Sequence, residues 1–320
     1  MVESQIECPP DEYMERVREI LPPDLHLQVE EALFDPRPVW VRVNTLVAEV
    51  REVARELAEL TIGRGPWPEA LRVSGAHRTE LLRHPLSVGG AVYMQSVSSQ
   101  SASLALDPQP GEEILDLCAA PGSKTSHIAQ LMGEGTLVAN EVSKGRSYKL
   151  RAVLDQLRVM RQEGLDVRVR TGDGVRYRGQ RECFDRILVD APCSGEGRFH
   201  VTDPASWKTW GPRKIKGCAS KQKALLHAAI DAVRPGGVIV YSTCTMAPEE
   251  NELVLKRALK RYAGRIEIEP LPTTLPTAIP ALCAWRGKEL PAPITEFARR
   301  IPPGPEWDGF FIARIRKSTG

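Results

Sequence analysis

The residues best suited to chemistry gather in a few short strings. The string Asp116-Leu-Cys118-Ala119-Ala120-Pro121-Gly122-Ser123-Lys124 follows an apolar run, Glu113 to Cys118. Its small residues and glycine let backbone approach a ligand, with the start of a helix behind them. It is not a Walker A loop, because Ser123 separates Gly122 from Lys124, and it lacks the G-x-G-x-x-G of a dinucleotide site. Glu141, at the end of a second run, is placed to accept hydrogen bonds from ribose hydroxyls, by analogy with nucleotide-binding sheets. The loop alone also fits a structural turn, whereas the loop with Glu141 reads as a nucleoside cofactor site. Asp173, Asp190 with Cys193, and Cys244 close three more runs. One aspartate at a strand end is usually a cap or turn residue, but such groups at five successive strand ends point to a shared site.

Those groups need strands to carry them. From about residue 111, short apolar runs at Glu113–Cys118, Thr136–Ala139, Val167–Val169, Asp185–Asp190 and Val238–Tyr241 alternate with helically spaced stretches. Phe310–Arg314 forms a terminal strand. This alternation predicts an α/β fold with a doubly wound, mostly parallel sheet, which binds ligands beyond the carboxyl ends of its strands. Before it, short helices around Pro22-Pro23, strands at Trp40–Thr45, Leu71–Ser74 and Ala91–Met94, a helix over 47–60 and a loop from Gly63 to Pro68 describe a smaller α+β unit. The expected division is acidic N-terminal helices over 1–35, the small α+β unit over 36–95 and the large sheet domain over 96–320. A length of 320 residues suits about two domains.

Together, Asp116 to Lys124, Asp190-Ala-Pro-Cys193, Ser242-Thr-Cys244-Thr with Glu249-Glu-Asn-Glu252, the closing Asp308-Gly-Phe-Phe-Ile-Ala-Arg314, and Arg42-Val-Asn-Thr-Leu46 resemble the RsmB/NOP (Nop/Sun) family of RNA cytosine-5 methyltransferases. The resemblance covers roughly residues 36 to 317. It implies a class I, Rossmann-like methyltransferase domain, S-adenosyl-L-methionine as cofactor and RNA, tRNA or rRNA, as partner. Cytosine C5 is a poor nucleophile, and a thiolate adding at C6 makes C5 enamine-like, so that it can attack a methyl sulfonium. The resemblance makes Cys244 the nucleophile and Cys193 the release residue. Asp190 would contact the cytosine ring and Lys124 would support that site, since cations stabilise thiolates. The cofactor would lie across Cys118 to Lys124, Glu141, Asp173 and Asp190, with Arg146 steadying Glu141 or reaching phosphate. Chemistry alone leaves the order of the cysteines open, because DNA cytosine methyltransferases attack with a Pro-Cys thiol. Three positions depart mildly from the family pattern: Ser123, Ser96 after Gln95, and Glu141 in place of the commoner aspartate.

Composition narrows the setting. Hydrophobic residues make up 42% and charged residues 26%, ordinary globular values that argue against wholesale disorder. No apolar run approaches a membrane span of roughly 20 residues, and the acidic start carries no secretory pattern. Seven cysteines, an odd number without a C-x-x-C pair, make a disulfide scaffold or zinc site a poor reading, and no histidine has a second ligand at metal spacing. A cytoplasmic monomer without metal is expected, with room for a protein partner. The formal net charge of +2 hides asymmetry. Residues 1–35 hold ten acids against two arginines, while residues 198–223 hold seven cations against Asp203 alone. The latter segment carries Arg198, His200, Trp207, Lys208, Lys214 and Lys216, which with Arg42 are the expected RNA contacts. Its aromatics either stack on unpaired bases or pack the loop down. Two alternatives stand beside the enzyme: a non-catalytic RNA-binding or ribosome-assembly factor, and a DNA cytosine-5 methyltransferase.

Overall fold

The computed structural model describes residues 7–180 and 182–319; the first six residues of the expected acidic segment lie outside it. Helices α1 (Asp11–Ile20) and α2 (His26–Glu31) follow. Asp11 and Glu12 open α1, where the helix dipole favours acids, and Tyr13, Val17 and Ile20 form its buried face. That face meets Phe199, Trp207, Trp210 and Met246 in one apolar cluster. The acidic N-terminus is therefore the cover of the basic 198–223 segment.

The small unit is a four-stranded antiparallel sheet of β1 (Val39–Val43), β2 (Thr61–Arg64), β3 (Ala70–Val73) and β4 (Val92–Met94), in the order β2-β3-β1-β4. β2 occupies part of the expected 63–68 loop. Its ladder with β3 slips between Thr61 and Gly63, a bulge that breaks the period-two pattern by which strands are recognised. The expected 47–60 helix is shorter, α3 (Val50–Glu56), and α4 (Arg78–Arg83) and α5 (Pro85–Val88) lead back to β4. A further helix, α6 (Val97–Leu106), has no apolar stripe. It is buried through Ser98, Ser101, Ala102 and Ala105, and the buried hydroxyls find carbonyls: Ser98 Oγ donates to Asp308 O at 2.7 Å and Ser101 Oγ to Ser98 O at 2.6 Å.

Among the described residues the large sheet has nine strands. β5 (Glu113–Asp116), β6 (Gly135–Glu141), β7 (Leu165–Thr171), β8 (Phe184–Asp190) and β9 (Val233–Thr243) are parallel. The order β7-β6-β5-β8-β9 places β5 at the centre. Helices α7 (Ser123–Met132), α8 (Lys144–Gln156), α9 (Pro212–Ala232) and α10 (Glu252–Arg261) form the crossovers and flanks. Beyond β9, the short strands β10 (Ile266–Glu269) and β11 (Ile279–Pro280), the hairpin β12–β13 (Ala284–Trp285 and Lys288–Glu289), helix α11 (Ala292–Phe297), β14 (Arg299–Ile301) and the long β15 (Phe310–Lys317) complete the chain. β15 pairs antiparallel with β9, β14 and β10. Apolar clusters cover both faces of the sheet, as a parallel sheet requires. This is the expected α/β, Rossmann-like architecture. Strands β7 and β9 outrun their apolar runs because ladder hydrogen bonds continue through Arg170, Thr171, Ser242 and Thr243.

Candidate active site

The carboxyl ends of β5, β8 and β9 open on a cavity of about 650 Å³ lined by Asp116, Cys118, Lys124, Asp190, Cys193 and Cys244. The loop after β5 turns at Gly122, whose φ of +114° lies in the left-handed region that glycine adopts freely. The loop is held from below: Ala119 N donates to Asn140 O at 2.8 Å, and Asn140 Nδ2 donates to Leu117 O at 3.1 Å. Arg146 clamps it from the side, donating to Ala120 O at 2.6 Å while its guanidinium lies 3.3 Å from the Glu141 carboxylate. Asp116 Oδ2 accepts from Thr125 Oγ1 at 2.6 Å, but Oδ1 is buried without a donor. Burial pushes this carboxyl up to about 7. A cationic amino group entering the cavity would satisfy Oδ1 and restore the charge. The amides at the start of α7 would receive a carboxylate. The residues therefore fit the amino-acid end of S-adenosylmethionine.

Asp190 ends β8 with both oxygens engaged: Oδ2 accepts from Lys124 Nζ at 2.8 Å and Oδ1 from Ser242 Oγ at 2.8 Å. Lys124 Nζ also lies 5.7 Å from the Phe310 ring centre. Three residues beyond Asp190, Cys193 Sγ is 3.1 Å from Cys244 Sγ. Adjacent parallel strands bring together two thiols 51 positions apart, because Asp190 pairs with Ser242 in the ladder. The pair is electrostatically unequal. The Cys193 hydrogen bond, with help from the Arg198 and Lys124 charges, lowers the Cys244 thiol to about 7. The same contact, burial and the Glu250 carboxylate raise Cys193. The contact thus favours the protonated form of Cys193 and the ionised form of Cys244.

Buried carboxylates hold the turns that carry the two thiols. Glu250 Oε2 accepts from Ser194 N at 3.0 Å and Gln222 Nε2 at 2.7 Å, and burial raises its carboxyl to about 7. Glu196 accepts from Trp210 Nε1 at 2.8 Å, Thr245 Oγ1 at 2.9 Å and Met246 N at 3.1 Å. Arg300 and Glu252, both fully buried, pair at 2.5 Å, and Arg300 also donates to Met246 O at 2.8 Å. Of these residues, the glutamates of the 249–252 string belong to the family pattern without a role read from it, and Glu196 and Arg300 carry no motif that marks them. The usable signal was a charged residue set among apolar ones.

The structure gathers Asp116, Cys118 to Pro121, Ser123, Lys124, Arg146, Asp190, Cys193, Arg198 and Cys244 at one cavity, while Gly122 turns toward Leu150 and Val153 of α8. Glu141 is buried behind Arg146 and accepts from Ser143 N at 2.9 Å. Asp173 is exposed and caps the turn after β7 by accepting from Val175 N at 3.0 Å. Two expected RNA contacts need correction. Arg42 is fully buried and donates to Gln95 Oε1 at 2.8 Å, Ser126 Oγ at 2.7 Å and Gln130, joining β1 to α7. It lies too deep to reach RNA. Trp207, with Trp210, packs under α1, so these rings hold the segment down rather than stack on bases. His200 spends its ring nitrogens on Thr202 Oγ1 and Asp35 O. Lys208 lies 3.2 Å from Glu7, and Lys214 donates to Thr209 Oγ1 at 3.0 Å. Lys216 and Arg198 are exposed. Among the described residues no acid, histidine and cysteine cluster could hold a metal, and no helix is long and apolar enough to cross a membrane.

Comparison with known proteins places this geometry. Residues 103–316 match the family described as 16S rRNA methyltransferase RsmB/F. A tRNA (cytosine(49)-C(5))-methyltransferase of Pyrococcus abyssi is 34% identical over 291 residues, 89% of this chain and 90% of the relative. Ribosomal RNA small subunit methyltransferase F of Vibrio parahaemolyticus is 33% identical over 96% of this chain, which spans 63% of that protein's length. A crystal structure of a methyltransferase homolog from Pyrococcus horikoshii aligns with a TM-score of 0.79 at 35% identity, covering 96% of this chain and 93% of that one. The chain belongs to the RsmB/F family of methyltransferases.

Proposed function

We propose that this protein transfers a methyl group from S-adenosylmethionine to C5 of a cytosine in RNA, with Cys244 as the attacking thiol and Cys193 as the release residue. The observation that carries the reading is the unequal thiol pair, 3.1 Å apart, beside the Lys124–Asp190 ion pair and above the 116–124 loop. The cofactor supplies an electrophilic methyl group. The 118–124 backbone and Asp116 bind its amino-acid end, while Glu141, steadied by Arg146, and Asp173 hold its nucleoside side. Cys244, ionised near neutrality, adds to cytosine C6. Asp190 accepts from the cytosine amino group, and the Lys124 ammonium places positive charge at the ring as electrons move toward N3. Once the methyl group is on C5, solvent water takes the C5 proton, and the C–H electron pair re-forms the C5–C6 double bond as the S–C6 bond breaks and returns its pair to the Cys244 sulfur. Cys193, still protonated, donates to the departing Cys244 thiolate and stabilises it as a leaving group.

The target base must leave any helix to reach the thiols. The small unit over 36–95 and the exposed face of 198–223, with Arg198, His200, Lys208, Lys214 and Lys216, form the proposed RNA surface, joined to the methyltransferase domain over 96–320. Its relatives are named for tRNA and for rRNA, and this site takes an unpaired cytosine of either. Incubating the protein with unmodified cellular RNA and labelled methyl donor tests the reading. The expected result is label in 5-methylcytosine that is lost with Cys244→Ala. Label at another base, or full activity of Cys244→Ala, overturns it.

A further inference from the structure

Among the described residues two exposed cations of the cavity, Arg78 and Arg198, make no ion pair, and of these Arg198 lies on the turn that is bonded to Cys244. It ends a short 3-10 turn, Glu196–Arg198, entered through Gly195 at φ +86°. The turn is fixed to the loop after β9 at two points. Gly197 N donates to the Cys244 carbonyl at 3.0 Å, and the Glu196 carboxylate accepts from Thr245 and Met246, the two residues after Cys244. On the other side Gly309 N donates to Gly197 O at 2.8 Å. A Cβ at Gly197 would lie 2.0 Å from Gly309 O, so the chain passes through this gap only as glycine. The position of Arg198 relative to Cys244 is thereby set by backbone hydrogen bonds. Arg198 lines the same cavity as both cysteines.

Among the described residues no carboxylate lies within ion-pair distance of Arg198. The nearby acids are already matched: Asp308 with Arg37 at 2.9 Å, and Asp190 with Lys124 at 2.8 Å. The groups facing Cys244 are therefore Cys193, Arg198 and the Lys124–Asp190 pair, with Glu250 behind Cys193. Lys124 and Asp190 largely cancel each other, and Glu250 opposes ionisation. Arg198 is the uncompensated positive charge.

We propose that Arg198 is a positioning residue for the methyl-transfer reaction: a fixed cation that holds Cys244 as a thiolate before the base arrives. The inference rests on Cys244 being the attacking thiol. Its charge claim is a property of the protein alone, so it can be tested without RNA. The experiment is iodoacetamide alkylation of the full chain across pH 5 to 9.5, with modification at Cys244 and Cys193 read separately by peptide mass spectrometry. In the wild type Cys244 should react first, with a midpoint near 7. Arg198→Met should move the midpoint upward by about one pH unit, about tenfold less thiolate at acidic pH, with an unchanged thermal unfolding curve. Arg198→Lys should restore most of the shift. An unchanged midpoint in a folded Arg198→Met protein overturns the proposal. So does a shift that Arg198→Lys fails to reverse, because the effect is then packing rather than charge. A folded Arg198→Met that keeps its midpoint yet loses RNA affinity makes Arg198 an RNA contact and also overturns it. If the shift occurs but the wild type methylates no RNA, the charge claim stands and the proposed reaction fails.

Discussion

Replacing Glu252 with alanine should remove a large share of the protein's stability. Glu252 and Arg300 have fully buried side chains and share two hydrogen bonds, Nε to Oε1 at 2.6 Å and Nη2 to Oε2 at 2.5 Å. Glu252 also accepts from Leu282 N at 3.1 Å. Without the carboxylate the guanidinium keeps only Met246 O, and a half-buried amide loses its acceptor. Breaking a buried pair from one side costs about 3–5 kcal/mol, because the remaining charge is uncompensated. That is a fifth or more of a typical total stability of about 5–15 kcal/mol. At about 2–4 °C per kcal/mol, Tm should fall by about 6–20 °C. Exchanging both residues for leucine removes the stranded charge, so Glu252→Leu with Arg300→Leu should be milder than either change alone. Thermal and urea unfolding of the four proteins measures this, and the coupling should exceed about 2 kcal/mol. A Glu252→Ala protein within about 1 kcal/mol of wild type would refute the reasoning, as would two leucine changes whose costs simply add.

Three further outcomes follow from the same geometry. Because the Cys244 thiol lies below its ordinary value, at about 7, and attack needs the deprotonated form, the single-turnover rate should rise about tenfold per pH unit below that point and level above it; a rate flat from pH 5.5 to 8 would contradict the assignment. Gly197→Ala must part the turn from Gly309, since no side-chain motion relieves a clash with backbone; methylation should drop at least about tenfold together with Tm, and a fully active, stable variant would mean the loops are not braced there. Arg42→Met should lower stability by about 2–4 kcal/mol through three lost hydrogen bonds from a charged donor, while leaving the salt dependence of RNA binding unchanged; a shallower salt slope in a stable variant would restore Arg42 as a phosphate contact.

The sheet and its strand-end residues were legible because a parallel sheet writes itself as apolar runs, each closed by a polar group. Asp116, Asp190 and Cys193, and Cys244 follow β5, β8 and β9 accordingly. What a sequence does not display is which way a side chain faces across a tertiary contact. Arg42 reads as a surface cation on a strand, yet every position of β1 is buried, because one side packs in the small unit and the other meets α6 and α7. Trp207 sits among lysines, but α1 arrives from almost two hundred residues away to cover it. Helix α6 was invisible for the opposite reason: its buried face is serine and alanine, and close approach to its neighbours replaces hydrophobic bulk. The residues bracing the thiols, Glu196, Glu250 and Arg300, are buried charges whose partners are distant in sequence. Their role emerges only when the turns are seen together.

The central claim is that Cys244 bonds covalently to an RNA cytosine and Cys193 assists its departure. Denaturing electrophoresis of the Cys193→Ala protein, mixed with cellular RNA and S-adenosylmethionine, tests it most directly. The account predicts a protein–RNA adduct that survives denaturation, carries a cytosine on Cys244, and vanishes when Cys244→Ala is added. An adduct formed by Cys244→Ala and not by Cys193→Ala would reverse the two roles. Absence of any adduct, while the wild type still methylates RNA, would contradict the covalent account itself.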